Sequence, residues 1–208
     1  MPPGDRPVPR PVARAAADVP LQRPPRERVV TAPTPLVAVL LGTDHHPFDR
    51  LVDWSREVRR ATGADVFVQH GATTLPPDLT GAAVLGLAEL SSLLDRAAVV
   101  VTHGGPGLIM EARAAGHLPV VVPRDPRLGE HVDDHQQRFL ARIAGAGFVA
   151  AAQHLPDFRR AVSIALVGGR GAPAGPVPPG GTPPGDGPVA DLAPARFGRL
   201  VDELLHRT

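Results

Sequence analysis

Residues Ala97–Gly116 read AAVVVTHGGPGLIMEARAAG, and the way this stretch is read decides the fold. Ala98–Thr102 is a short, continuous apolar run dominated by β-branched residues, the signature of a strand buried on both faces of a sheet. The chain then turns through His103-Gly104-Gly105-Pro106-Gly107 and resumes with helical spacing over Pro106–Ala115. Gly104, Gly105 and Gly107 permit close approaches that a Cβ would block. Pro106 suits a first helical turn, where its missing N–H would go unpaired in any case. A strand that passes through glycines into a helix can present backbone N–H groups and the positive end of a helix dipole. The dipole alone favours an anion there by ~0.3–2 kcal/mol, and a diphosphate fits. One turn on, Glu111 lies about 5–6 Å along the axis, where a carboxylate can accept both hydroxyls of a ribose. Glycine spacing also fits a plain strand-to-helix turn with a solvated Glu111, so both readings stand at this point.

Outward from this stretch, short apolar runs alternate with helical spacing between Leu36 and Leu166. Strands are expected at Leu36–Leu41, Asp65–Gln69, Ala82–Leu85, Ala98–Thr102, Leu118–Val122 and Phe148–Ala151. Helices are expected at Phe48–Thr62, Leu87–Ala97, Pro106–Ala115, Val132–Ala146 and Pro156–Leu166. Strands joined through helices predict an α/β fold, a parallel sheet with helices on both faces and right-handed crossovers. Ligands of such sheets bind beyond the carboxyl ends of the strands. The loops to search are therefore Gly42–Asp49, Thr102–Glu111 and Pro123–Gln137.

Composition limits the rest. The 208 residues include 26 Pro and 22 Gly, too many for one uniformly packed body. The excess concentrates in residues 1–34, read as a disordered Pro/Arg-rich arm, and in residues 169–193, read as a Pro/Gly-rich linker. Between them, 35–168 is expected to be the compact domain. After the linker, residues 194–208 are read as an amphipathic helix, with Phe197, Leu200, Val201, Leu204 and Leu205 forming a stripe that packs on the core or a partner. There is no cysteine, which excludes disulfides and thiolate metal sites and fits a cytoplasmic location. No apolar run reaches the length of a membrane span, and Met1 is not followed by a signal-like segment. All 22 basic residues are Arg, net charge is +1, and aromatics are scarce. Scarce aromatics argue against a nucleic-acid partner.

The opening loop departs from the dinucleotide fingerprint, because GxGxxG should follow the first strand and this loop follows the fourth. A P-loop requires a Lys that the chain lacks. The combination that remains is VVVTHGGPGLIMEARAAGHLPVVVPRDPRLGEHVDDHQQRFLARIAGAG, preceded by LLGTDHHPFDRLV and VQHGATT. Over roughly Leu36–Ala151 it resembles the nucleotide-sugar-binding carboxyl-terminal half of glycosyltransferase family 28, and especially the cytosolic subunit of split UDP-N-acetylglucosamine transferases.

That resemblance implies a single Rossmann-like half of a GT-B enzyme, with a UDP-sugar as donor. Position by position it implies that Glu111 binds ribose, that Thr102, His103, Gly104, Gly105, Pro106 and Gly107 hold the diphosphate and the sugar edge, and that Gln136 and Gln137 meet the donor sugar beside His135. Gly42 and Thr43 correspond to the glycine-rich loop after the first strand, although Thr43-Asp44-His45-His46 stands where small residues belong. A complete enzyme of this kind needs an acceptor-binding half of about 150 residues. The chain is therefore expected to work with a membrane-associated acceptor-binding subunit, peripherally at the inner face of the membrane. The implied reaction transfers a hexosamine or hexose to a lipid-linked or polysaccharide acceptor, with inversion, no cofactor and no metal. A non-catalytic protein that binds a nucleotide sugar or scaffolds a partner is the alternative, and a nucleotide-sugar epimerase is a third possibility.

The histidines and carboxylates divide into two groups. Asp44, His45 and His46 are the clustered acid/base candidates at a strand's carboxyl end, although Asp44 could instead cap the helix starting near Phe48. His131 and His135, spaced i, i+4 in the expected helix, could frame a metal with Asp133 and Asp134. The zincin pattern is absent, since Val132 follows His131, and no metal is expected there. His103 either donates to a phosphate oxygen or bonds a neighbouring carbonyl.

Overall fold

The computed structural model describes residues 33–169. The expected arm (but for Pro33 and Thr34), linker (but for Gly169) and C-terminal helix lie outside the described residues. In chain order the elements are β1 (Leu36–Leu40), α1 (Asp49–Thr62), β2 (Asp65–Gln69), β3 (Thr80–Ala82), α2 (Leu87–Arg96) and β4 (Val99–His103). There follow α3 (Pro106–Ala114), β5 (Val120–Val122), a 3-10 turn (Pro126–Leu128), α4 (His135–Ala144), β6 (Ala150–Ala151) and α5 (Leu155–Gly168).

The six strands form one sheet in the order β3-β2-β1-β4-β5-β6, with every neighbouring pair parallel. This is the Rossmann-like order, whose direction of winding reverses between β1 and β4. Val39 lies at the centre, level with Val68 on one side and Val101 on the other.

Period-two alternation along β1 assigns the helices to their faces. Val37, Val39 and Leu41 join the core that contains Leu51, Val52 and Val58 of α1 and Phe158 and Val162 of α5. Ala38 and Leu40 face the other way, onto Leu93 and Leu94 of α2 and Ala112 of α3. Ile109 of α3 packs with Leu140 and Ile143 of α4 over Val121. Helix α1 buries the spacing 51, 52, 55, 58, a single stripe at helical period. It stops at Gly63, whose φ of 68° lets its N–H close on the Arg59 carbonyl.

Besides shifts of one or two residues at several element ends, three features differ from the sequence expectation. The third strand is Thr80–Ala82 and not Ala82–Leu85. Pairing there requires glycine, because a Cβ on Gly81 would lie 2.1 Å from the Val68 carbonyl oxygen; the apolar Val84 and Leu85 leave the sheet. Helix α4 begins at His135 and not Val132. Val132 is exposed and gains nothing from helix, while Asp133 turns the chain by accepting from the His135 N–H. The Pro126–Leu128 turn, capped by the Asp125 side chain, was not anticipated.

Candidate active site at the sheet switch point

A cleft of about 510 Å³ opens at the carboxyl ends of β1 and β4, where this topology places ligands. One wall carries Gly42, Thr43 and Asp44 from the loop after β1, with His103, Gly105 and Gly107 from the loop after β4. Val84, Leu85, Leu90 and Leu108 supply apolar lining, and Gln69 completes it.

Two glycines make room for His103. A Cβ on Gly105 would lie 2.2 Å from the ring, and one on Gly42 2.6 Å from its Nε2. The Gly105 N–H donates to His103 Nδ1 at 3.1 Å, so in the neutral ring the proton sits on Nε2. Burial, helped by the Arg124 guanidinium, pushes the His103 pKa down to about 4, which keeps the ring neutral near pH 7. Of the two roles considered for His103, donation into the cleft fits this tautomer. Its local bond is to an amide and not to a carbonyl.

The loop's own amides are only partly available. Gly104 N–H is taken by Gln136 Oε1 at 3.1 Å and Gly105 N–H by His103. The first turn of a helix leaves its N–H groups without intrahelical acceptors, and Pro106 has none. The cleft therefore meets the amides of Gly107 and Leu108. A Cβ on Gly107 would meet nothing within 4 Å, so this glycine faces open space.

Gln136 is 3% exposed. Its Oε1 accepts from Gly104 and, at 3.3 Å, from the Arg124 N–H, which makes it the strut behind the glycine loop. Gln137 is partly buried, with Nε2 3.5 Å from the Arg124 carbonyl. Thr102 is fully buried, and its Oγ1 has no hydrogen-bond partner among the described residues. Glu111 is exposed on α3, and neither it nor His135 lines the cleft.

Asp44 does not cap α1. Its Oδ1 accepts from the His46 N–H at 2.8 Å and lies 2.6 Å from His46 Nδ1, while the Phe48 N–H goes to Thr73 Oγ1. Burial raises the Asp44 carboxyl, but the two bonds from His46 and the nearby Arg124 charge outweigh it and bring the pKa to about 2. His45 is exposed, its ring 3.9 Å from that of His46. His131 precedes α4 and is not on it, with Nε2 3.6 Å from Asp44 Oδ2.

Three residues that hold the site together were not singled out in the sequence. Gln69 clamps the β1 loop by accepting the Gly42 N–H and donating to the Gly42 and Ala83 carbonyls. Arg124, 1% exposed, donates to the carbonyls of Leu41, His46 and Glu130 and lies over the Phe48 ring. Glu130 takes two bonds from Arg50, at 2.9 and 2.7 Å, and one from the Asp125 N–H. Only the local run PRDPRLGE hinted at this network, because its partners are 73 to 83 residues away.

Among the described residues no helix is long and apolar enough to cross a membrane. Residues 60–158 match the family model for the glycosyltransferase family 28 C-terminal domain; the match begins within α1, so the β1 loop lies outside it. No curated protein matches the chain. Solved structures similar to it include the glycotransferase of kitacinnamycin, at 22% identity over 93% of this chain and 43% of that one, with a TM-score of 0.49. CalG4, the calicheamicin glycosyltransferase, is 20% identical over 90% and 45%, with a TM-score of 0.46. MurG of Acinetobacter baumannii is 17% identical over 85% and 43%, with a TM-score of 0.39. The chain thus spans less than half the length of each. Over residues 60–158, just under half of the chain, the sequence thus matches the glycosyltransferase family 28 C-terminal domain, on a six-stranded Rossmann-like sheet.

Proposed function

We propose that the chain is the donor-binding half of a glycosyltransferase that moves a hexosamine or hexose from a UDP-sugar to a lipid-linked or polysaccharide acceptor, together with a separate acceptor-binding subunit. One observation carries this reading. At the switch point of the sheet, the Gly107 and Leu108 amides, the His103 Nε2–H and the amino end of α3 meet one cleft that the apolar Val84, Leu85 and Leu90 also line. The donors suit a diphosphate, and a flat base fits against Val84, Leu85, Leu90 and Leu108. Glu111, exposed one turn along α3, is assigned the ribose hydroxyls, and Gln137 the donor sugar.

In the reaction the acceptor hydroxyl oxygen bonds to the anomeric carbon as the bond from that carbon to the diphosphate oxygen breaks, with inversion. The electron pair leaves with the diphosphate, whose charge the preorganised amides and helix dipole stabilise. The acceptor's proton passes to His46 Nε2, because Asp44 holds the other ring nitrogen and an imidazole is a far better base near pH 7 than a carboxylate with a pKa of about 2. The acceptor subunit supplies the positioning, which is worth ~7–11 kcal/mol of barrier, and brings the chain to the inner face of the membrane.

Calorimetric titration with UDP tests the binding half of this reading. Glu111→Ala is expected to bind ten- to a hundredfold more weakly, for loss of a contact worth about 1.5–3 kcal/mol. UDP release with a lipid-linked acceptor tests the rest: negligible for this chain alone, appearing when the acceptor-binding subunit is added. Transfer by the chain alone would refute the half-enzyme reading, and binding with no transfer under either condition would favour a non-catalytic nucleotide-sugar-binding protein.

A further inference from the structure

We propose that His131, Asp133 and His135 bind one divalent transition-metal ion of the zinc class, at the junction of the β5–α4 loop with α4, beside the cleft and not in it. One ligand atom from each side chain lies within 4.8 Å of the others, so small side-chain rotations bring all three to the ~2.0–2.2 Å that zinc takes with imidazole and carboxylate. Two imidazoles and one carboxylate suit Zn²⁺, Ni²⁺, Co²⁺ or Cu²⁺, and not the all-oxygen preference of Mg²⁺ or Ca²⁺.

The orientation of His131 supports the site independently of this spacing. Its Nδ1 accepts a long bond from the Asp133 N–H, at 3.3 Å, and lies 3.5 Å from Asp133 Oδ1. Its Nε2 lies on the opposite side, 3.6 Å from Asp44 Oδ2. The lone pair therefore faces the Asp133 backbone N–H, a long bond that an ion would displace, and Nε2 lies near a carboxylate contributed from 87 residues earlier in the chain. An outer carboxylate that fixes the tautomer and aim of a ligating imidazole is the usual second layer of a metal site. His135 Nδ1 meets the same Asp133 oxygen, and the two rings stand edge to face with centroids 4.7 Å apart. The His131 side chain is 12% exposed, whereas those of Asp133 and His135 are 53% and 50% exposed, which gives an ion a path in and room for a water ligand. The neighbouring trio Asp44, His45 and His46 is the poorer cage, because the His45 side chain is 83% exposed and His131 has its partners on both sides. An ion on His135 would fix the first turn of α4, and the next residue, Gln136, holds the Gly104 amide.

The test uses the untagged full chain, freed of metal with a chelator and titrated without nucleotide, so that its outcome is separate from that of the proposed function. Zn²⁺ is followed by calorimetry, and Co²⁺ by visible absorption. The expected result is one ion per chain, Co²⁺ bands typical of nitrogen ligation, and affinity at least tenfold lower in His131→Ala and His135→Ala. Asp44→Asn should also weaken binding, by about 10- to 100-fold if it acts as the outer carboxylate. His154→Ala, an exposed histidine at the start of α5, should bind like the wild type. Saturating Zn²⁺ should raise the Tm of the wild type by a few degrees and leave that of His135→Ala unchanged. No saturable binding by the wild type, Co²⁺ bands lacking nitrogen ligation, or binding lost in His45→Ala but kept in His135→Ala would each overturn the proposal. The Co²⁺ spectrum needs no variant, so absence of nitrogen ligation overturns the proposal even if a substitution impairs folding.

Discussion

Replacing Gln136 with Leu removes an acceptor while nearly keeping the side-chain volume, which isolates its role as a strut. In the native protein its Oε1 serves two backbone N–H groups, on Gly104 at 3.1 Å and on Arg124 at 3.3 Å, both in buried surroundings. A buried donor left without a partner costs about 1–3 kcal/mol. The longer Arg124 bond belongs near the lower end, so we expect a total loss of about 2–4 kcal/mol, or roughly 4–16 °C in Tm for a chain of this size. Urea unfolding followed by far-ultraviolet circular dichroism measures it, with the m-value unchanged. UDP affinity should fall as well, because the loop that carries the cleft's donors loses its support. A variant within about 0.5 kcal/mol of wild-type stability would refute this reasoning. If that variant also bound UDP normally and a UDP-sugar poorly, Gln136 would be a sugar ligand, as the family resemblance alone implies.

Gly107→Ala should leave the fold intact or stabilise it by up to ~1 kcal/mol, since Ala is the better helix former and its Cβ meets open space, yet it should weaken UDP binding by crowding the anion position; paired thermal melts and titrations separate the two effects. Glu130→Ala leaves the Arg50 guanidinium without its carboxylate partner and removes a negative charge beside buried Arg124, and should cost about 3–5 kcal/mol by urea unfolding. Stability should also fall on the acid side through His103. Its folded pKa of about 4 lies below the ordinary imidazole value of 6.5, so between these values the unfolded chain binds a proton that the native state refuses, and up to about 3 kcal/mol is lost as pH drops from 6.5 toward 4. His103→Asn should flatten that limb of the stability–pH curve. The Asp44 contribution, present above pH 3.8, is lost only lower, as pH falls toward 2.

Much of this architecture could be read from hydrophobic periodicity. The runs at Leu36–Leu40, Asp65–Gln69 and Val99–His103 are strands because continuous β-branched apolar stretches have no other way to bury both faces. The Gly104–Gly107 loop was legible as a strand-to-helix turn because Pro106 and the glycines carry their backbone preferences wherever they occur. Less legible was everything that depends on who faces whom. Gln69, Arg124 and Glu130 are polar residues whose burial follows from carbonyls and charges supplied by distant loops. Resemblance alone assigns Gln136 to the donor sugar, and its bond to the Gly104 N–H follows only from the packing of α4 against the glycine loop. Thr80–Ala82 escaped notice because its pairing rests on the missing Cβ of Gly81 and not on apolar side chains.

The central claim is that the cleft between the β1 and β4 loops holds a nucleotide diphosphate on the Gly107 and Leu108 amides. Amide chemical-shift mapping of the ¹⁵N-labelled chain, titrated in parallel with UDP and with uridine, tests it most directly. Gly107 and Leu108 should shift strongly with UDP and little with uridine, while both ligands move Val84 and Leu85. Shifts at Gly107 and Leu108 that are equal for the two ligands, or absent while UDP binds elsewhere, would contradict it.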